Sequence, residues 1–102
     1  MYRIMIVEDD EVIARAVQQS LVSWGMDAFC VQDFSSVLAE FAVKNPQLVL
    51  MDIHLPFFNG FHWCQEIRKV SKVPVIFLSS ASDNMNIIMA VNMAAMTYRE
   101  AV

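Results

Sequence analysis

The chain alternates between short, mostly apolar runs and longer stretches in which apolar residues recur at helical spacing. The runs are "YRIMIV" (2–7), "DAFCV" (27–31), "LVLM" (48–51) and "VIFLS" (75–79). A strand with one wet face would alternate with period two. Near-continuous runs instead predict strands buried on both faces, as in a parallel sheet. After "EDDE" (8–11), the residues Val12, Ile13, Ala16, Val17, Leu21 and Trp24 fall on one helical face, with Gly25 at the C-cap. A second helix starts at Ser35 and Ser36 and turns Val37, Leu38, Phe41 and Ala42 inward. It ends before Asn45-Pro46, because a residue preceding proline disfavours helix. "FNGFHWCQEIRKV" (58–70) predicts a third helix with Phe61, Cys64 and Ile67 inward, and Pro74 introduces the fourth strand. Asp83 opens a last helix with Ile87, Ile88 and Val91 inward, and Met85, Met89, Met93 and Met96 run down it as flexible core filler. This order predicts an α/β, doubly wound parallel sheet with right-handed crossovers and helices on both faces. With no repeat, low-complexity tract or linker, its 102 residues form a single domain.

The polar residues collect where the apolar runs stop. Glu8 and Asp9 follow the first strand, Asp52 the third, and Ser79 and Ser80 end the fourth. In open α/β sheets, sites form outside the carboxyl ends of strands. If strands one and three are neighbours, three carboxylates crowd one crevice, and their repulsion raises at least one pKa unless a cation compensates. Oxygen ligands without His or Cys favour Mg²⁺. Mg²⁺ beside a nucleophilic carboxylate suits phosphoryl transfer, because the metal neutralises charge on the phosphoryl oxygens. Taken singly, Glu8, Asp9 and Asp10 also fit a helix N-terminus, and the serines fit turn hydroxyls. Asp52 does not fit a cap, since the next helix begins only near Asn59. Three matched strand ends together point to a site.

Composition narrows the classes further. The net charge is -4 with 7 Lys plus Arg, unclustered, so the segment lacks a basic face for nucleic acid. No apolar run approaches the roughly 18–20 residues of a membrane span. "MYRIMIVEDD" meets acids too early for a secretory segment. Cys30 and Cys64 match neither a CxxC motif nor a disulfide framework, and read as buried thiols in a reducing cytosol. A soluble, cytoplasmic domain is expected. His54 and His62 with Cys64 fit no recognised transition-metal spacing. Phe57, Phe58, Phe61 and Trp63 cluster just after Asp52, either as packing or as a docking surface.

These motifs carry a family resemblance. "IMIVEDD", "VLMDIHLPFFNG" and "VPVIFLSS" resemble the first strand with its acidic pair, the phosphoacceptor signature and the fourth strand of response-regulator receiver domains, over residues 1 to about 93. The resemblance implies a flavodoxin-like sheet of order 2-1-3-4-5. It also implies that Asp52 is the phosphoacceptor for a sensor histidine kinase. Mg²⁺ would be bound by Asp9, Asp52 and the backbone carbonyl of His54, with Glu8 acting mainly through water. Ser79 would hydrogen-bond the phosphoryl group, and Tyr98 would be the switch aromatic on strand five. "MYRIMIVEDD" with "IFLSS" resembles regulators that carry a C-terminal winged-helix DNA-binding domain, particularly those answering antimicrobial peptides. This chain contains no effector domain, so it would not itself bind nucleic acid.

The tail "AAMTYREAV" (94–102) departs from the family. Ala101 stands at the place of the usual lysine, and the last lysine in the chain is Lys72. The final strand–helix unit is therefore expected to be truncated or absent. The apolar surface so exposed would favour a homodimer or other self-association, and phosphorylation would be slow or would fail to switch the domain. The implied function is a phosphoacceptor switch, not an enzyme with a diffusible substrate. One alternative is a degenerate receiver acting as a phosphorylation-independent interaction module. A second is a Mg²⁺-dependent phosphatase-like enzyme, which would need a carboxylate where His54 stands.

Overall fold

Parallel pairing sets the architecture. In the computed structural model, which describes residues 2–78 and the backbone of 96–98, the strands are β1 (Arg3–Val7), β2 (Asp27–Cys30), β3 (Leu48–Asp52), β4 (Val75–Leu78) and β5 (Met96–Tyr98). They form one sheet of order β2-β1-β3-β4-β5 with every neighbouring pair parallel, in the order expected. The crossovers carry α1 (Glu11–Ser23), α2 (Val37–Lys44) and α3 (Gly60–Arg68). The fifth strand is only three residues long.

Among the described residues, the sheet buries two faces of unequal size. On one, Met5, Val7, Val49, Met51, Val75 and Phe77 pack against Val37 and Phe41 of α2 and against Phe61, Trp63, Cys64 and Ile67 of α3. Each fully buried side chain of this kind contributes about 1.5–3 kcal/mol relative to exposure. The other face is smaller, with Ile6, Ala28 and Leu50 meeting Ala14, Val17 and Leu21 of α1.

The face that α1 turns inward differs from the one its apolar residues suggest. Val12 is 78% and Trp24 71% exposed, and Ile13 and Ala16 also face solvent. Two local bonds explain the rotation. The Asp10 carboxylate caps the helix, accepting from the backbone N–H of Val12 at 3.0 Å and of Ile13 at 3.3 Å. With the start fixed there, positions 14, 17, 18 and 21 turn to the sheet, which is a regular helical stripe. Gln18 fills its inward place by donating Nε2–H to the carbonyl of Ala28 at 2.9 Å. Ala14 is small enough to let the helix approach the strands closely.

Elsewhere the ends follow the expected signals. Asn45 closes α2 in the left-handed region at φ 49, immediately before Pro46. Gly25 turns the chain after α1 at φ 89. Cys64 is buried, whereas Cys30 is only half-buried, and both are free thiols. Where β1 enters the sheet, Arg3 links three elements. Its Nε–H meets Asp27 at 2.8 Å, its Nη1–H meets the carbonyl of Lys44 at 2.8 Å, and its backbone N–H meets the Gln47 side chain at 2.9 Å. Being exposed, the ion pair contributes little on its own.

Met96, expected on the last helix, lies instead on β5 opposite Ile76. Ser79, Ser80, the helix expected from Asp83, and Arg99 and Ala101 of the tail lie outside the described residues. Among the described residues, no helix is long and apolar enough to cross a membrane.

Gly60 ties this fold to the strand end. A β-carbon there would collide with the carbonyl oxygen of Asp52 and come within 3.0 Å of the Met51 side chain. Backbone cannot yield as a side-chain tip can, so Gly60→Ala is expected to cost about 1–3 kcal/mol. Thermal denaturation checks this, and an unchanged melting temperature would contradict the close packing of α3 on β3.

Candidate functional site

The register of β1 against β3 builds the site. Ile6 pairs with Leu50 and Val7 with Met51, so the chain leaves the sheet with Glu8 beside Asp52. Glu8, Asp9 and Asp52 each offer an oxygen, and the three oxygens lie within 4.8 Å of one another. Glu8 is buried, Asp52 half-buried and Asp9 exposed. Among the described residues the ion pairs are Arg3–Asp27 and Lys69–Glu66, and neither touches this triad.

Electrostatics follow from that crowding. Burial, chiefly, lifts the Glu8 carboxyl to about 7, and the nearby Asp52 and Asp9 charges push the same way. The backbone N–H of Asp10, donating to Glu8 at 3.1 Å, opposes the rise. Asp52 is also raised, again mainly by burial. A hydrogen bond from Glu8 and the backbone N–H of His54, at 3.4 Å, oppose that shift. In the metal-free chain the Glu8 carboxyl therefore keeps its proton to a higher pH than an ordinary carboxylic acid does. A divalent cation could take the place of that proton, because the donors are hard oxygens and, among the described residues, no side-chain cation pairs with them.

The loop after Asp52 is closed at both ends. The N–H of Gly60 donates to the carbonyl of Ile53 at 2.9 Å, and Asn59 caps α3 by accepting from the N–H of His62 at 2.9 Å. Between them, the N–H of Phe58 donates to the carbonyl of Pro56 at 2.8 Å across Phe57, which sits at φ 68. That is a γ-turn of the rare, strained hand. A bulky residue held there costs on the order of 1–3 kcal/mol.

Of the residues singled out in the sequence, Glu8, Asp9 and Asp52 come together, with His54 opening the adjoining loop. Leu78 lies in register with both Asp52 and Tyr98, so the backbone of Tyr98 belongs to this end of the sheet, and Ser79 lies outside the described residues. Nothing further is described for the side chains of Ser79, Tyr98 and Ala101. The aromatic cluster divides. Phe61 and Trp63 are core residues, whereas Phe57 is 76% exposed and Phe58 is half-exposed. The histidines join no group of potential metal ligands among the described residues.

The sequence reading missed the partnership of Phe58 with α3. Phe58 precedes the Asn59 cap and Trp63 lies one turn into the helix. Those positions form a hydrophobic staple, and the spacing could have identified it.

The pH dependence of the metal-free chain follows from Glu8. Its carboxyl sits at about 7 when folded and 4.5 by its ordinary value. The stabilisation is full below the unfolded value and is lost as pH rises through about 7. The metal-free chain is therefore expected to melt at a lower temperature at pH 8 than at pH 5.5. Glu8→Gln should remove most of that difference. A wild-type chain whose melting temperature is flat or rises over this interval would contradict the proton retained on Glu8.

Comparison with known proteins agrees with this arrangement. The family model described as the response regulator receiver domain matches residues 4–99. The sensory transduction protein BceR of Bacillus subtilis is 42% identical over 95 residues, which are 93% of this chain and 41% of that protein. The uncharacterized transcriptional regulatory protein YvcP of the same species is 45% identical over 91 residues, covering 89% of this chain and 38% of that one. Among solved structures, the N-terminal domain of the nisin resistance regulator NsrR superposes with a TM-score of 0.87 at 40% identity, covering 98% of this chain and 85% of that one. The chain thus spans about two-fifths of the length of its curated relatives. It belongs to the response regulator receiver domain family and is the receiver domain of a two-component response regulator.

Proposed function

We propose that Asp52 accepts a phosphoryl group from a histidine of a sensor kinase, with Mg²⁺ as the cofactor. The supporting observation is the triad itself. Three carboxylates converge at the ends of two adjacent parallel strands, and no side-chain cation pairs with them among the described residues. In the transfer, an Asp52 carboxylate oxygen forms the new O–P bond as the donor's N–P bond breaks, and the electron pair returns to the imidazole. Asp9, Asp52 and the backbone carbonyl of His54 would hold the cation, with Glu8 acting mainly through water. When bound, Mg²⁺ supplies charge neutralisation at the phosphoryl oxygens.

The chain's own residues prepare the acceptor. Half-burial restricts water at Asp52, and the His54 N–H orients one of its carboxylate oxygens. Ser79 is assigned the hydrogen bond to the phosphoryl group, and Tyr98 the aromatic switch. The lysine that such sites usually carry is replaced by Ala101, so transfer proceeds without an ammonium beside the phosphoryl group and is slow. The domain's only chemistry is its own phosphorylation and dephosphorylation. The output it controls is transcriptional, a reading supported by the naming of YvcP as a transcriptional regulatory protein.

Incubation with acetyl phosphate and Mg²⁺ should give a single phosphoryl adduct by intact mass. The adduct should be absent in Asp52→Ala and after chelation with EDTA, and should form faster in Ala101→Lys. An adduct that survives Asp52→Ala, or steady turnover of phosphate esters, would contradict the assignment.

A further inference from the structure

The loop from Ile53 to Asn59 carries the His54 carbonyl assigned to the cation, yet it belongs to neither strand nor helix. Its middle is held by side chains. The Phe58 ring stacks on His62, with centroids 4.2 Å apart and planes at 18°. It meets Trp63 edge-on at 5.6 Å and 88°, and His62 meets Trp63 at 4.8 Å and 79°. Trp63 is 5% exposed and packed in the core beneath β3, so the stack has a rigid base.

The stack acts against a local strain. Phe57 sits at φ 68, and an L-residue of that size relaxes toward negative φ when nothing prevents it. Relaxation would release the Phe58 N–H from the Pro56 carbonyl and shift Pro56, Leu55 and His54 in turn. Phe57 itself projects into solvent and has no packing to hold it. Phe58, next in the chain, has that packing.

We propose that Phe58, clamped against His62 and Trp63, is a positioning residue for the acceptor site: it holds the strained turn at Phe57 and thereby aims the His54 carbonyl and N–H at the Asp52 centre. The role rests on the reading of Asp52 as a Mg²⁺-dependent phosphoacceptor. A staple that merely started α3 would alter helix stability and leave the cation site unchanged.

NMR of the labelled chain separates the two. In Phe58→Ala, amide exchange at His54, Phe58 and Gly60 is expected to rise, and the Kd for Mg²⁺ to rise roughly three- to tenfold, the range an aromatic pair supplies. Phe58→Tyr keeps the stack and should bind Mg²⁺ as the wild type does. Adding Phe57→Gly to Phe58→Ala removes the strain and should recover part of the affinity, a rescue that a structural staple would not give. Unchanged Mg²⁺ affinity in Phe58→Ala, beside a wild type that binds Mg²⁺, would overturn the positioning role alone. A wild type that takes up no Mg²⁺ would overturn the underlying reading of the site.

Discussion

The structure turns on the placement of two carboxyl groups, Glu8 and Asp52, side by side at the ends of buried parallel strands. Unpaired charges there are costly, since burial and mutual repulsion both disfavour ionisation. The chain meets this cost locally. Glu8 retains a proton near neutrality, and the backbone N–H groups of Asp10 and His54 donate to the two carboxyls. A cluster of hard oxygen donors of this kind fits a divalent cation.

The rest of the fold serves that geometry. The β1–β3 register sets Glu8 against Asp52, and β4 and β5 extend the same row through Leu78 to Tyr98. The core formed with α2 and α3 gives β3 a rigid base, and Gly60 lets α3 approach the Asp52 backbone closely. The loop between them is the exception. Hydrogen bonds close it at both ends, and at its strained middle the Phe58 stack adds side-chain packing. Backbone strain of this kind clusters at functional sites.

Much of this was legible in the sequence, for physical reasons. Strands buried on both faces must be apolar throughout, so the strand core of β1, β3 and β4 was readable. A carboxylate that follows such a strand and caps no helix stood out for the same reason, and it placed Asp52, with Glu8 and Asp9, in one crevice. What periodicity could not show was which apolar residues turn inward on α1. There the Asp10 cap fixes the helix phase, and small Ala14 and polar Gln18 take inward places over Val12 and Trp24. Met96 likewise continued a helical spacing in the sequence, yet it pairs with Ile76 on β5. The spacing of Phe58 and Trp63 marks a staple, whereas the stack of Phe58 on His62 depends on ring orientation, which spacing does not give.

A divalent cation is expected to take the place of the proton that Glu8 holds beside Asp52. Calorimetric titration of the chain with Mg²⁺ near pH 6.5, in buffers of different ionisation enthalpy, measures it directly. Binding accompanied by proton release in the wild type, with that release lost in Glu8→Gln, is the expected result. Binding without proton release, or release that persists in Glu8→Gln, would contradict the account.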